Sequence, residues 1–558
     1  MRRPEPASCA LPSPCQEPVL SKAKEEGPRV RVALLLCALL VAACASPTPA
    51  PPPTTTSRPD PTTTVPAALP TPSPIAPSPS PYQDYAQALR PEFVSDLDLF
   101  PDATRYEIEL AVDFTLTTIT GHERVDYTNT EGVALDALYL RLFPNTLGYG
   151  GAMTVTETLL DGRPLVPAVE LNGSALRLPL KPPLAPGARA ALALDFILSL
   201  PSEGANLPSQ GANYGYRQLG YYDGVLALAN AYPLIPAYDD QGWNVELSPP
   251  YGDAIYSDTA FYTVRITAPA TMTLAASGTC TAPIHNRAGS ATWTCVAGPM
   301  RDLNVVLGTD YQVESRVVEG VTVNSIFYPQ HREAGELALD HAAETVRLFG
   351  TRVGPYPFTE LDVVETPTRA GGIEYPGLVV INSARYETIT ERTEWVVAHE
   401  VIHQWWYSLV GNDQVDEPWL DEALTQYSTL LYFEHRYGAE AAADLLQRFF
   451  QGPYEALKED GRDAPAGLPV AAYSDEDYGA VVYGKGPLYF HALRQEVGDD
   501  QFWTILQAYF ARHRYGVATP EDWLAAVKAV TGQEYRTLYE QWIQGDEERS
   551  EREATVVQ

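Results

Sequence analysis

The chain has 558 residues, too many for one domain of the usual size of roughly 100–200 residues. Its 38 Lys plus Arg stand against 71 Asp plus Glu, a formal net charge of −33; this excludes nucleic acid as the main partner, because phosphate binding needs a basic stripe. Cysteine is too sparse for a disulfide-dense scaffold, with six in all and four of them (Cys9, Cys15, Cys37, Cys44) in the first 44 positions.

The amino terminus reads as an address. Arg29 and Arg31 precede the apolar run Val32–Ala43, which is shorter than the ~20 residues a spanning helix needs. A basic flank, a short apolar core and small residues at its end describe a secretory signal. The run stops at Val41-Ala42-Ala43-Cys44, which resembles the bacterial lipobox, whose cysteine is lipidated and becomes the mature terminus. The expectation is a lipoprotein signal peptide over 1–43 and an extracytoplasmic protein anchored to the cell membrane through Cys44. An ordinary signal peptide with an incidental cysteine is the alternative. Of the 49 prolines, 14 fall in residues 45–81 among Ser, Thr and Ala. Such a composition cannot bury a core and favours extended polyproline II, so 44–85 is read as a disordered tether.

From about residue 90 to 310 the pattern is strand-like. Tyr106–Val112 and Phe261–Ile266 alternate with period two, and turn signals such as Asp161-Gly162 and Asn172-Gly173 punctuate the stretch. This predicts an antiparallel β domain. Cys280 and Cys295 lie within it, on neighbouring strands; in an exported chain they predict a disulfide, with two buried thiols as the alternative.

After about Tyr311 helical periods take over, at Glu333–Phe349, Thr390–Tyr407, Trp419–Tyr437, Ala439–Phe450, Pro487–Val497, Asp500–His513 and Pro520–Val530. The fold class is therefore multidomain α+β, with the β domain over 90–310, a mainly helical domain over 311–545 and an acidic tail over 546–558.

The chemistry concentrates at His399-Glu400-Val401-Ile402-His403. On a helix, positions i and i+4 share a face, so both imidazoles reach one ion with Glu400 beside them. Trp395, Val396, Val397, Val401, Ile402, Trp405 and Trp406 surround the motif, which predicts a buried helix. Catalytic zinc takes three protein ligands and keeps a fourth position open; Glu422, in the next helical segment, is the candidate third. The other histidines form no ligand spacing.

Together these motifs resemble the aminopeptidase N family of zinc metallopeptidases, the gluzincins, whose signature is H-E-x-x-H, eighteen residues and Glu. Trp419-Leu420-Asp421-Glu422-Ala423 is similar to the family's W-L-N-E-G, Gly371-Gly372-Ile373-Glu374-Tyr375 to its G-x-M-E-N, and Tyr483-Gly484-Lys485-Gly486 to its Y-x-K-G. The resemblance implies a thermolysin-like catalytic domain behind the β domain and one Zn2+ per chain, held by His399, His403 and Glu422. It implies Glu400 as general base, Tyr483 as donor to the oxyanion, and Gly371, Gly372 and Glu374 as substrate-binding residues, Glu374 taking the free α-amino group. Peptides are the implied substrates. Larger relatives continue into a helical-repeat domain over the active site, so a more open cleft, tolerant of longer peptides, is expected.

Two departures bear on exopeptidase action. Tyr375 replaces the family's Asn, and Leu226–Asn230 offers no acid where relatives supply a second amine-binding Glu or Gln. Alternatives are a zinc endopeptidase, a hydrolase for another amine or an epoxide, or a surface binding protein that keeps the fold without turnover.

Overall fold

The computed structural model describes residues 82–202, 215–247 and 249–545, all within one compact unit, Pro77–Gln558. The predicted signal peptide, Cys44, nearly all of the tether and the acidic tail lie outside the described residues. Only the end of the tether is corrected. Tyr82 and Tyr85 are buried, with their rings 4.6 and 4.8 Å from that of Phe261, so packing begins ahead of residue 90.

The first half is built on a nine-stranded sheet. Its main path runs 279–280, 290–300, 260–269, 105–112, 118–128, 189–199, 152–160 and 163–164. The alternation seen in sequence is the pleat itself: Tyr106, Ile108, Leu110 and Val112 are buried, while Glu107 and Glu109 face solvent. One pairing departs from the antiparallel expectation, since Arg105–Val112 and Ala260–Pro269 run parallel. The strands are joined by some 150 residues of chain rather than a hairpin. Cys280 and Cys295 are direct partners across an antiparallel pair and form a disulfide.

The second half opens with a sheet that the helical reading of 311–545 passed over. Five strands run in the order 312–318, 321–327, 360–366, 378–382, 372–373. Pairing is parallel between 321–327 and 360–366 and between 360–366 and 378–382, whereas the short edge strand Gly372–Ile373 is antiparallel. Leu361, Val363, Val364 and Leu378–Ile381 are buried. Strands covered on both faces lack alternation, and that is why the period-two test misses them.

Behind this sheet stand the helices Arg332–Arg352, Glu391–Ile402, Leu424–Tyr437, Gly486–Val497, Asp499–His513 and Pro520–Thr531. Two of them are entered through a π turn, Trp419–Ala423 and Val481–Lys485. The helix Glu391–Ile402 begins where Thr393 Oγ1 accepts the Thr390 N–H at 3.1 Å. It ends at Ile402, five residues before the expected Tyr407. Tyr407 has φ 122°, a left-handed conformation that no α-helix continues through.

Candidate active site

The helix Glu391–Ile402 carries His399 and Glu400 on its last turn, and His403 caps it. Glu422 enters from the π turn Trp419–Ala423. The three predicted ligands meet: Glu422 Oε2 lies 3.2 Å from His399 Nε2 and 3.3 Å from His403 Nε2, and the two Nε2 atoms are 3.1 Å apart. Ligand atoms around a tetrahedral zinc at 2.0–2.1 Å stand roughly 3.3–3.4 Å from one another, so this triangle has the size of one zinc face. Two imidazoles and a carboxylate are also the donor set zinc takes in peptidases. Tautomer is set as a metal ligand requires, because His403 Nδ1 donates to the Trp406 carbonyl at 2.9 Å and leaves Nε2 free.

Among the described residues Glu374, His403 and Asp421 form a second group whose candidate ligand atoms lie within 4.8 Å of one another. Asp421 is already engaged there. Its Oδ1 accepts from Asn412 Nδ2 (3.1 Å) and from the Glu422 N–H (2.9 Å), and its Oδ2 accepts from Gln414 Nε2 (2.8 Å). It therefore orients Glu422 and Gln414 rather than a second ion.

A cleft of about 240 Å³ opens over the triangle, lined by His399, Glu400, Glu422, Glu374, Gly371, Gly372 and Tyr483, among others. Every predicted site residue except His403 lines it, and His403 sits fully buried beneath. The Tyr483 hydroxyl donates to Glu422 Oε1. Glu374 follows the edge strand, and Gln414 Nε2 donates to its Oε1 at 3.1 Å. Gln404, one residue past His403, ties this segment to the metal helix: its Nε2 donates to the Tyr375 carbonyl (3.1 Å) and its Oε1 accepts the Gly377 N–H (2.8 Å). A Cβ at Gly372 would stand 2.5 Å from Glu400 Cγ, so the strand passes against the base only because this residue has no side chain.

Charge in the cleft is one-sided. Asp253, Glu374, Glu400 and Glu422 line it, and among the described lining residues Arg392 is the only Lys or Arg. Burial, reinforced by Glu374, holds Glu400 well above the usual carboxylate range. Burial also pushes His399 down to about 4. It would lower His403 too, but the adjacent Glu422 carboxylate overrides it and lifts that ring to about 10. Such an excess of buried carboxylate calls for a cation among them.

Leu226–Asn230, the segment read as offering no second acid, is not among the residues lining the cleft. Asn230 is wholly buried; its Oδ1 accepts from the Tyr149 hydroxyl at 2.8 Å and its Nδ2 donates to Asp302 Oδ2 at 3.3 Å. It does not line the cleft. An acid is supplied instead by Asp253, on a loop of the first half, where Gly252 at φ 71° donates its N–H to the Tyr216 hydroxyl at 3.1 Å. No spacing in the sequence marks Asp253, because a long-range loop approach brings it there.

Residues 337–542 match the Peptidase family M1 domain. Aminopeptidase M1 of Arabidopsis thaliana is 28% identical over 252 residues, covering 43% of this chain and 28% of the plant protein. Aminopeptidase N of Lactococcus lactis subsp. lactis is 24% identical over 247 residues, 41% of this chain and 29% of that protein. The chain thus spans less than a third of the length of these curated relatives. In three dimensions it is similar to an M1 zinc metallopeptidase of Deinococcus radiodurans, at TM-score 0.59 and 22% identity, over 80% of this chain and 94% of that one. A second structure of the Deinococcus enzyme, bound to a Tyr-Ser-Ala substrate, gives TM-score 0.58 at 21% identity. The shared architecture is the two-domain one, a β-rich half followed by a helical half. Over residues 337–542 the second half thus resembles the Peptidase family M1 domain, and the chain is similar to proteins named Aminopeptidase M1 and Aminopeptidase N.

Proposed function

We propose that this chain is a zinc aminopeptidase, releasing amino-terminal residues from peptides. The observation that carries the reading is the 3.1–3.3 Å triangle of His399, His403 and Glu422 in one cleft with Glu400 and Glu374. Zinc bound by these three residues supplies Lewis acidity, making water a nucleophile near neutral pH and polarising the scissile carbonyl. Glu400, beside the three ligands in the cleft, takes the proton of the attacking water and delivers it to the leaving nitrogen. Tyr483 donates a hydrogen bond to the oxygen on which charge develops. Glu374, held by Gln414, accepts the α-ammonium group and so sets cleavage one residue inward. Gly371 and Gly372 leave the edge strand open to an extended substrate backbone.

The test compares aminoacyl-p-nitroanilides with their N-acetylated forms. Free amines should be hydrolysed on the order of 10²-fold faster, with the difference lost in Glu374→Ala, since a buried carboxylate left unpaired discriminates at that scale. Equal rates on blocked and free substrates would overturn the aminopeptidase reading in favour of an endopeptidase.

We further infer an extracytoplasmic protein, lipidated at Cys44 and tethered to the membrane. The lipobox-like Val41–Cys44 and the Cys280–Cys295 disulfide support this. Cys44→Ser should shift the protein from the membrane fraction to a soluble one; unchanged fractionation would refute the anchor.

A further inference from the structure

The sheet of the second half ends on an open edge. Gln312–Val318 is its outermost strand, paired with Val321–Phe327 on one side only. In the turn between them Glu319 and Gly320 both have positive φ, 49° and 80°, the two-residue type that makes Val318 and Val321 a hydrogen-bonded pair. Alternation from that pair turns the N–H and C=O of Gln312, Glu314, Arg316 and Val318 toward the neighbouring strand. Those of Val313, Ser315 and Val317 point outward, and no backbone group among the described residues meets them.

Edge strands are commonly blunted by lysine, proline or a bulge. Gln312–Val318 contains neither lysine nor proline, and its register to Val321–Phe327 runs without a shift. Val313 and Val317 stand 47% and 70% exposed, with the exposed Ser315 between them. A regular strand with an apolar stripe and free hydrogen-bonding groups is a template for another strand.

The order of side chains says which strand. Turned about a two-fold axis through Ser315, the segment is complementary to itself: Val313 faces the partner's Val317, and Glu314 faces the partner's Arg316. In that register Val313, Ser315 and Val317 exchange backbone hydrogen bonds with their counterparts. The valines share one face, and opposite charges meet on the other. Centring the axis on Glu314 or on Arg316 instead, the next registers the outward groups allow, would set like charges against each other. Within the chain Glu314 pairs with Arg332 at 2.7 Å and Arg316 with Asp340 at 3.0 Å; at 41% and 48% exposure, both side chains keep a face open to a second charge.

We propose that Gln312–Val318 is the contact of a two-fold homodimer, in which the sheets of two copies join edge to edge across Ser315. An isologous contact closes on itself, so assembly stops at two copies.

The experiment follows the mass of the full chain by sedimentation velocity across a dilution series. The mass should rise with concentration to twice that of the monomer and no further. Ser315→Pro removes an outward N–H that no bond within the chain uses, and proline is tolerated at such edge positions. It should raise the dimer dissociation constant by at least about tenfold, since symmetry removes the bond twice. Arg316→Glu sets Glu against the partner's Glu314 and should also weaken the dimer, whereas Glu314→Arg combined with Arg316→Glu should restore it. Hydrolysis of aminoacyl-p-nitroanilides at the wild-type rate verifies that each variant is folded. A monomer mass throughout the series would overturn the proposal, as would assembly that continues past two copies. A dimer unchanged in folded Ser315→Pro and Arg316→Glu would place the contact elsewhere and overturn it too. If Ser315→Pro does not fold, the charge exchange decides, and a folded double variant that stays monomeric counts against pairing about Ser315.

Discussion

Glu400 and Gly372 share one constraint, since the edge strand can lie against the base only while position 372 lacks a Cβ. Gly372→Ala should therefore behave as a lesion of Glu400, lowering kcat while zinc content by metal analysis stays at one per chain. Glu400→Gln should likewise keep zinc and lose about 10²–10⁴-fold in kcat, the usual worth of a general base; retained turnover would refute its role. Tyr483→Phe should cost roughly 10²–10³-fold in kcat with KM little changed, as for a lost oxyanion donor. His399, His403 and Glu400 were legible because helical spacing of four residues is a local rule, whereas Glu422 was legible only as the acid of the next helical segment and through the family resemblance. Asp253 was not, because it reaches the site region through the approach of distant loops and carries no periodicity of its own.

At the scale of elements, the helical periods of the second half correspond to helices within a few residues at each end. The exception is the metal helix, which stops at Ile402 rather than Tyr407. Apolar composition carried the longer reading through a turn whose φ only the folded chain reveals. The sheet over 312–382 was illegible for the opposite reason, because strands buried on both faces do not alternate. That sheet holds a buried acidic pair. Asn324 Nδ2 donates to Glu360 Oε1 and to Asp362 Oδ1, each at 2.8 Å, and burial, with Glu360 adding to it, pushes Asp362 up to about 8. A carboxyl raised in the folded state favours folding when protonated. This contribution is full below about pH 4 and is lost as pH rises through about 8. Urea unfolding of Asp362→Asn should accordingly lose less stability than the wild type between pH 5 and 8; parallel slopes would refute the assignment.

On the scale of the whole molecule, the halves read as two domains share one continuous apolar core and are pinned by polar contacts. Arg301 donates to carbonyls of both halves, Thr259 Oγ1 donates to the Tyr515 carbonyl at 2.7 Å, and the Tyr251 hydroxyl donates to the Tyr473 carbonyl at 2.7 Å. Denaturant unfolding should show one transition, with tryptophan fluorescence and far-UV signals coincident. Arg301→Leu should lower its free energy by on the order of 3 kcal/mol by leaving buried carbonyls unpaired. The same architecture dictates when activity can arise. A ribosome delivers Asp253 and Glu374 first, then His399, His403 and Glu422, and Tyr483 only later. The turn behind His403 is secured later still, when Gly411 exchanges hydrogen bonds with Gly516 and Ala518 at 3.0 and 2.7 Å. A nascent chain therefore cannot close the candidate site until residues 516–518 have been made, so the site's assembly waits on the late part of the second half.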